Sequence, residues 1–161
     1  MSNIKNRKED GFTIIEVLIV LAIAGLIMLI VFLAVPALQR NSRNTQRTND
    51  VSAVLSGMTE YMNNNSGSKP ATGALGAAGA TTGKIGATGT NQVDVKLGYY
   101  TADKVSISST VTTNPGDQES VTIVLAAKCN GNDAQTGTGA PSRGFVALYT
   151  LENNAKQCKE S

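Results

Sequence analysis

The sequence predicts an α+β fold, in which a long N-terminal helix, membrane-embedded over its first half, packs on a small antiparallel β-sheet of three to four strands. Two observations lead to this prediction. Residues 12–39 carry a single charge, and this run of about 28 residues would extend roughly 42 Å as a helix, more than the ~30 Å hydrocarbon core of a bilayer. The last third of the 161-residue chain instead alternates apolar and polar residues between turn signals, as half-buried strands do.

These patterns divide the chain into five segments. Residues 1–11 form a short polar leader, and residues 12–36 form the transmembrane helix. Residues 37–62 continue as an amphipathic second half of the helix. Residues 63–92 form a Gly/Ala/Thr-rich loop, and residues 93–161 form an antiparallel β-sheet domain.

The apolar helix is expected to be interrupted at two positions. Residues 12–35 are apolar on all sides, which favours a helix embedded in lipid or among other helices. Gly25 lies inside this run and Pro36 follows it. Because proline removes a backbone hydrogen bond and glycine weakens a helix, we predict helix breaks at Gly25 and Pro36.

The second half of the helix carries one apolar stripe at helical spacing, which predicts packing against a sheet. The stripe consists of Val51, Val54, Leu55, Met58, Tyr61 and Met62. Arg40, Arg43 and Arg47 share another face. This face is either solvated or in contact with neighbouring subunits or anionic lipid head groups.

Beyond the helix, the composition changes twice. Residues 63–92 are nearly free of large apolar side chains, which predicts a flexible surface loop. Residues 130–144 form a second Gly/Asn/Thr loop. Strands are predicted, in a meander laid on the helix, over residues 93–97, 105–111, 121–127 and 145–151.

Composition argues against several function classes. The net charge of +2 is too small, and the aromatic residues are too few, for a nucleic-acid-binding surface. The chain has no histidine, which removes His-dependent nucleophilic catalysis and the commonest metal ligand. Five carboxylates of the last third are scattered among turns and strand edges: Asp94, Asp103, Asp117, Glu119 and Asp133. We therefore expect no catalytic residues, no cofactor and no metal site.

The one charge of the apolar run, Glu16, indicates a function, because a charge inside a membrane helix is costly. The polar residues before the run end at Gly11. A secretory signal peptide has the opposite order, with its apolar region before the cleavage site. A cut after Gly11 would leave the apolar helix on the product and create a new amino group at Phe12, four residues before Glu16.

This arrangement resembles the class III prepilin signal of type IV pilins and the related pseudopilins. The matching residues are Lys5, Arg7, Lys8, Gly11, Phe12 and Glu16, followed by the apolar run. The resemblance covers about the first quarter of the chain. It implies a pilin-like fold whose leader stays in the cytoplasm and whose body lies outside.

The resemblance also implies how the chain is processed. A prepilin peptidase would cut between Gly11 and Phe12 and methylate the new amine, while the helix holds the precursor in the cytoplasmic membrane. The mature chain would then be a structural subunit of an extracellular type IV pilus, a helical homo-oligomer on the cell surface that serves adhesion or motility. Moving a helix from lipid into a bundle gains little hydrophobic energy, so an assembly platform and an ATPase are further expected partners.

Glu16 is also expected to act between subunits. Within one helix Glu16 lies about 6 Å along the axis from Phe12, too far for an easy direct contact. A neighbouring subunit displaced along the filament axis would bring its Phe12 amine beside this carboxylate. Since a buried ion pair can fix register, we expect Phe12 and Glu16 to direct assembly.

The two cysteines, Cys129 and Cys158, form an even pair in a small domain, which suits an oxidising exterior. The pair resembles the disulfide-bounded C-terminal region of many type IV pilins, which implies a Cys129–Cys158 disulfide. The alternative is two buried reduced thiols.

Two other functions compete with a filament subunit. A pseudopilin of a type II secretion or DNA-uptake system would share the whole N-terminal motif, and only the cysteine pair favours a pilin over it. A signal-anchored surface enzyme or binding protein belongs to another class, and the enzyme would require a catalytic constellation that the sequence does not show.

Overall fold

The computed structural model describes residues 11–86 and 91–161. The leader residues 1–10 and residues 87–90 of the predicted loop lie outside this description. The chain divides into two units, Met1–Gln39 and Arg40–Ser161, and each unit is described by itself.

Within the described residues, one long helix, α1 (Ile14–Asn64), is followed by nine strands and a 3-10 turn at Ala102–Lys104. The strands are β1 (Gly73–Ala74), β2 (Thr82–Ile85), β3 (Val93–Lys96), β4 (Val105–Ser108), β5 (Val121–Leu125), β6 (Ala127–Asn130), β7 (Asp133–Thr136), β8 (Phe145–Thr150) and β9 (Lys156–Glu160). The predicted α+β class is confirmed.

The helix continues through both Gly25 and Pro36, which corrects the predicted helix breaks. Proline lacks its own N–H donor and crowds the carbonyl four residues earlier, whereas glycine keeps both of its backbone hydrogen-bonding groups. The helical hydrogen bonds of the surrounding residues therefore remain available. These two residues lower the stability of the helix locally, but the helix ends at neither of them.

In the second unit, the apolar stripe of α1 packs on the sheet, as predicted. All six residues of the stripe are at most 7% exposed. Gly57 lies beside the stripe, where a β-carbon would come within 2.6 Å of Val95 Cγ2. The absence of a side chain at Gly57 therefore lets the helix approach β3 closely.

The main sheet has five strands in the order β1-β4-β5-β8-β9. It is larger than the predicted three to four strands, and it is not wholly antiparallel. Strand β4 pairs with β5 in parallel, with Val105 opposite Val121. The other pairs, β1–β4, β5–β8 and β8–β9, are antiparallel.

The parallel pair depends on the connection of residues 109–120, which returns the chain to the starting end of β4. A parallel pair requires a crossover of about a dozen residues, and this connection supplies it without a helix. Its anchor is Asn114, which is 1% exposed. The Asn114 side-chain amide donates hydrogen bonds to the carbonyls of Tyr149 (3.0 Å) and Gln157 (3.1 Å), which fasten the crossover to β8 and β9.

Part of the Gly-rich segment, predicted as one loop, is built into the fold. It contains β1 and β2, and β2 forms an antiparallel hairpin with β3. Its two large apolar residues are buried, Leu75 at 3% exposure and Ile85 at 0%. Sparse apolar residues therefore sufficed to fix this segment against the core.

A third layer covers the face of the sheet opposite α1. Ala126, between β5 and β6, has a φ of 52°, which turns the chain out of the sheet. Strands β6 and β7 then form a hairpin whose buried side chains cluster with Val124, Val146 and Leu148. Every residue of β5 is buried because both faces of this strand are covered, which explains its continuous apolar sequence.

Candidate processing and assembly site

The N-terminal end of the described chain places the predicted cleavage bond outside the helix. Gly11, Phe12 and Thr13 precede α1, which begins at Ile14. The Phe12 side chain is 89% exposed. The Gly11–Phe12 peptide bond is therefore free of helical hydrogen bonds.

Thr13 and Glu16 form a reciprocal hydrogen-bonded pair at the start of the helix. The Thr13 amide donates to Glu16 Oε2 at 2.9 Å, and the Thr13 hydroxyl donates to the same oxygen at 2.8 Å. The Glu16 amide in turn lies 3.4 Å from Thr13 Oγ1. This geometry is a capping box, which satisfies helix N-terminal donors that otherwise lack a partner.

The capping box gives Glu16 a role within its own chain, in addition to the role between subunits that the sequence predicts. A carboxylate is also favoured near the positive end of the helix dipole. The pattern Thr-x-x-Glu before an apolar run, here residues 13–16, is a recognisable signal for this overlooked role. Among the hydrogen bonds of the described residues, those of the Glu16 carboxylate use only Oε2, which leaves Oε1 available to another donor.

The apolar side chains that follow Glu16 are uncovered in the single chain. From Phe12 to Leu38, the large apolar residues are between 39% and 89% exposed. In the described part of the chain, α1 alone is long and apolar enough to cross a membrane, with a mean hydropathy of 3.3 over its most apolar stretch. Such a surface is stable in water only when lipid or other apolar helices cover it.

The Arg-rich face of α1 is not a uniformly solvated face. Arg47 is 2% exposed, and its guanidinium carbon lies 4.3 Å from the centre of the Tyr99 ring. Arg43 is about half exposed and makes a two-pronged ion pair with Glu152, with Nη2 2.9 Å from Oε2. The Arg43 guanidinium lowers the pKa of the Glu152 carboxyl. These contacts join α1 to Tyr99 and to the turn between β8 and β9.

Asp50 is a buried residue that the sequence did not single out. Its carboxylate is 5% exposed and accepts hydrogen bonds from the amides of Gly98 (2.8 Å), Tyr99 (2.8 Å) and Tyr100 (2.9 Å). A buried carboxylate with three backbone donors holds the turn after β3 against the helix. Its signal in the sequence is weak, namely a charge beside the apolar stripe.

The two cysteines lie at disulfide distance, as the sequence predicts. Cys129 in β6 and Cys158 in β9 have Cα atoms 5.8 Å apart, and 29 positions separate them in the sequence. The bridge joins the outer hairpin to the last strand of the main sheet. The Cys129 amide also donates to the Glu160 carboxylate at 2.7 Å.

Two of the scattered carboxylates of the last third, Asp103 and Asp133, hold turns and loops. Asp103 accepts a hydrogen bond from the Gly79 amide, and the Thr101 hydroxyl lowers the pKa of Asp103 most. The Asp133 carboxylate accepts a hydrogen bond from the backbone amide of Asn114 at 2.8 Å. In residues 11–86 and 91–161, no three or more Cys, Asp or Glu side chains lie together in a way that suits a metal ion.

Comparison with known proteins bears on the N-terminal segment. Residues 6–32 match the family model of the prokaryotic N-terminal methylation motif. No curated protein and no solved structure matches the chain. The matched motif and the long apolar helix that contains most of it fit a type IV pilin-like prepilin signal, which supports a prepilin of the pilin or pseudopilin type.

Proposed function

We propose that the mature chain is a structural subunit of an extracellular type IV pilus, polymerised through the N-terminal half of α1. The observation that carries the proposal is an apolar helix surface, exposed from Phe12 to Leu38, that is interrupted by the single carboxylate of Glu16. Among the described residues, the capping box uses only Oε2 of this carboxylate, and a simple membrane anchor would leave the charge at Oε1 without a partner.

The surroundings of Glu16 favour a partner that is apolar and cationic at once. A depression of about 490 Å3 beside the carboxylate is lined by Phe12, Val17, Val20 and Leu21. The N-terminus of a second mature chain offers the matching chemistry, because the Phe12 ring is apolar and its amine is positively charged. The amine would pair with Glu16 Oε1 while Thr13 keeps Oε2, so the capping box and the contact between subunits are compatible.

Processing precedes this assembly in the proposed sequence of events. A prepilin peptidase cuts after Gly11 and methylates Phe12 while the helix lies in the cytoplasmic membrane with the body outside. An assembly platform and an ATPase then transfer the helix into a homo-oligomeric filament on the cell surface, where it serves adhesion or motility. The protein acts as a building block, not as an enzyme, and needs no cofactor or nucleic acid.

The Cys129–Cys158 pair favours a pilin over a pseudopilin of a secretion or DNA-uptake system. The pair resembles the disulfide-bounded C-terminal region of many type IV pilins, and the bridge joins the outer hairpin to β9. Electron microscopy of purified surface filaments, with mass spectrometry of their main protein band, separates the two functions. A long filament built mainly of this chain supports the pilin, whereas its absence from surface filaments contradicts it.

Intact mass spectrometry of the same material tests the processing step. We expect the loss of residues 1–11 and the gain of one methyl group on Phe12. Gly11→Val should leave uncleaved precursor in the membrane. An unprocessed Met1 terminus, or a cut beyond residue 35, would contradict the proposed processing.

A further inference from the structure

Strand β9 forms one edge of the main sheet and is five residues long, whereas the strand at the other edge, β1, has two residues. The edge of a sheet presents unpaired backbone N–H and C=O groups, to which a strand of another chain can pair. The Cys129–Cys158 bridge holds β9 in place. A surface that is ordered in advance loses little conformational freedom when it binds.

The backbone groups of β9 alternate between β8 and the open side, because only every second residue of an antiparallel strand bonds to its neighbour. At one end of the pair, the Leu151 amide donates to the Ala155 carbonyl. At the other end, the Ser161 amide donates to the Phe145 carbonyl. In step with these bonds, the residues whose N–H and C=O groups point to the open side are Lys156, Cys158 and Glu160. Among the described residues, β8 is the only strand that pairs with β9.

The lysines of β9 do not block this edge. Lysine side chains often protect edge strands from pairing with other chains. Here Lys156 Nζ donates to the Asn114 carbonyl at 3.0 Å, and Lys159 Nζ donates to the Ser52 hydroxyl at 2.7 Å. Both side chains are held against their own chain, which leaves the backbone of β9 accessible.

The two ends of the edge carry opposite charges on one face of β9. Side chains at positions 156, 158 and 160 share this face, since alternate residues of a strand do so. Glu160 Oε1 accepts a hydrogen bond from the Cys129 amide at 2.7 Å, which leaves Oε2 available. Lys156 uses one of its three donor hydrogens for Asn114. Within the described part of the chain, neither Lys156 nor Glu160 takes part in an ion pair.

These charges select one pairing of the edge with a second copy of itself. When two β9 strands pair antiparallel about Cys158, Lys156 of each copy lies opposite Glu160 of the other. Three pairs of residues then exchange two hydrogen bonds each. Centring the pair on Lys156 or on Glu160 would place like charges opposite each other, which is destabilising. We propose that β9 is an interaction surface that pairs, antiparallel and centred on Cys158, with β9 of a second copy of this chain.

The proposed contact is isologous, because both copies contribute the same strand. Subunits within one helical filament are related by a screw and not by a two-fold axis. The contact therefore joins subunits of different filaments and holds neighbouring filaments together. This consequence rests on the proposed function, whereas the pairing of two copies does not.

Carbodiimide cross-linking of the full chain in detergent micelles tests the pairing, because the reagent joins a lysine to a carboxylate that it contacts. Unlabelled copies are mixed with copies that carry a heavy nitrogen isotope, so mass spectrometry recognises links between copies. Within one strand Lys156 and Glu160 are about 13 Å apart, too far for a direct link. Lys96, exposed at the end of β3, is the control for random encounters. We expect links between copies from Glu160 to Lys156 to be at least about tenfold more abundant than links from Glu160 to Lys96.

Exchanging the charges tests the register. Lys156→Glu and Glu160→Lys each place like charges opposite each other. Each should weaken self-association of the full chain at least about tenfold, measured by sedimentation in density-matched detergent. The double variant again pairs unlike charges and should restore association. Lys96→Glu makes the same change of charge outside β9 and should have no effect, and circular dichroism shows whether each variant is folded.

Three results would overturn the pairing: no link between copies from Glu160 to Lys156, equal yields of the links to Lys156 and Lys96, or a folded double variant that associates no better than the single variants. The proposed function fails separately. Normal filaments without the β9 link would contradict the pairing alone. A β9 link between copies that form no filaments would contradict the filament role alone.

Discussion

The two halves of α1 differ in what covers their apolar side chains. Before Gln39, the large apolar residues are exposed around the whole helix. After Arg40, the apolar residues form one stripe, and each residue of that stripe is at most 7% exposed against the sheet. A helix that is apolar all round needs lipid or other helices, whereas a striped helix finds its partner in the same chain. An apolar stripe at helical spacing therefore indicates packing within the same chain. Apolar residues around the whole helix instead indicate a partner outside the chain.

If the first half depends on a partner outside the chain, Glu16→Ala should have the largest effect of all the substitutions. The variant should still be cleaved after Gly11, yet it should form at least about tenfold fewer filaments, because the proposed ion pair with the next subunit is lost. Counting filaments by electron microscopy measures this. Glu16→Gln keeps an acceptor for Thr13 but loses the charge, so its failure to assemble would assign the effect to the ion pair and not to the cap. Normal filaments from Glu16→Ala would refute the assembly role.

The second half of α1 and the sheet that covers it predict effects on folding within one chain. Cys158→Ser opens the bridge between β6 and β9, whose closed loop of about 30 residues restricts the unfolded chain by roughly 3–4 kcal/mol. Thermal unfolding of the full chain in detergent should show a lower melting temperature, and protease should release the C-terminal strand. Wild-type protein treated with reductant is the matched control. An unchanged melting temperature in both samples would mean that the bridge does not stabilise the fold.

Asp50→Ala tests whether the second half of α1 is also held by polar contacts. Three amides would lose their acceptor, at a cost of about 2–3 kcal/mol. Chemical denaturation of the full chain in detergent measures the loss. Asp50→Asn keeps one oxygen acceptor and should lose less stability. Equal losses in the two variants would show that charge, not the number of acceptors, is what matters.

Ala126→Gly tests the strained turn from β5 to β6. At a φ of 52°, alanine is strained and glycine is not, so the change should stabilise the fold by about 1 kcal/mol and raise the melting temperature by a few degrees. Ala127→Gly, one position later in β6, provides the matched control and should destabilise. A lower melting temperature for Ala126→Gly would mean that flexibility gained in the unfolded chain outweighs the relieved strain.

The smallest expected effect concerns the exposed ion pair between Arg43 and Glu152. The pKa of Glu152 is lowered in the folded chain by Arg43, so the ion pair stabilises the fold above the ordinary glutamate pKa of about 4.3. This contribution is lost as the pH falls through the lowered pKa. Glu152→Gln should therefore unfold slightly more easily than wild type at neutral pH and equally easily in strong acid. A difference that does not change with pH would exclude the ion pair as its cause.

The N-terminal site was the part of the molecule most open to prediction from sequence. Gly11, Phe12 and Glu16 are recognised by their order along the chain, and the apolar helix by its length, because both features are local. The capping box was also within reach, since Thr13 and Glu16 are three residues apart. The predicted breaks at Gly25 and Pro36 were wrong because the rest of the helix retains its hydrogen bonds.

By itself, the sequence determined the α+β class, the buried stripe of α1 and four of the nine strands, β3, β4, β5 and β8, because these follow from periodicities of two and 3.6 residues. Only the tertiary structure decided that β5 lies parallel to β4, that β9 completes the sheet and that Arg47 is buried against Tyr99. Each of these depends on residues far apart in the chain. Asn114, for example, joins the crossover to β8 and β9 through hydrogen bonds that span 35 and 43 positions. A local pattern fixes what a segment can form, whereas long-range contacts select which of the possible pairings is most stable.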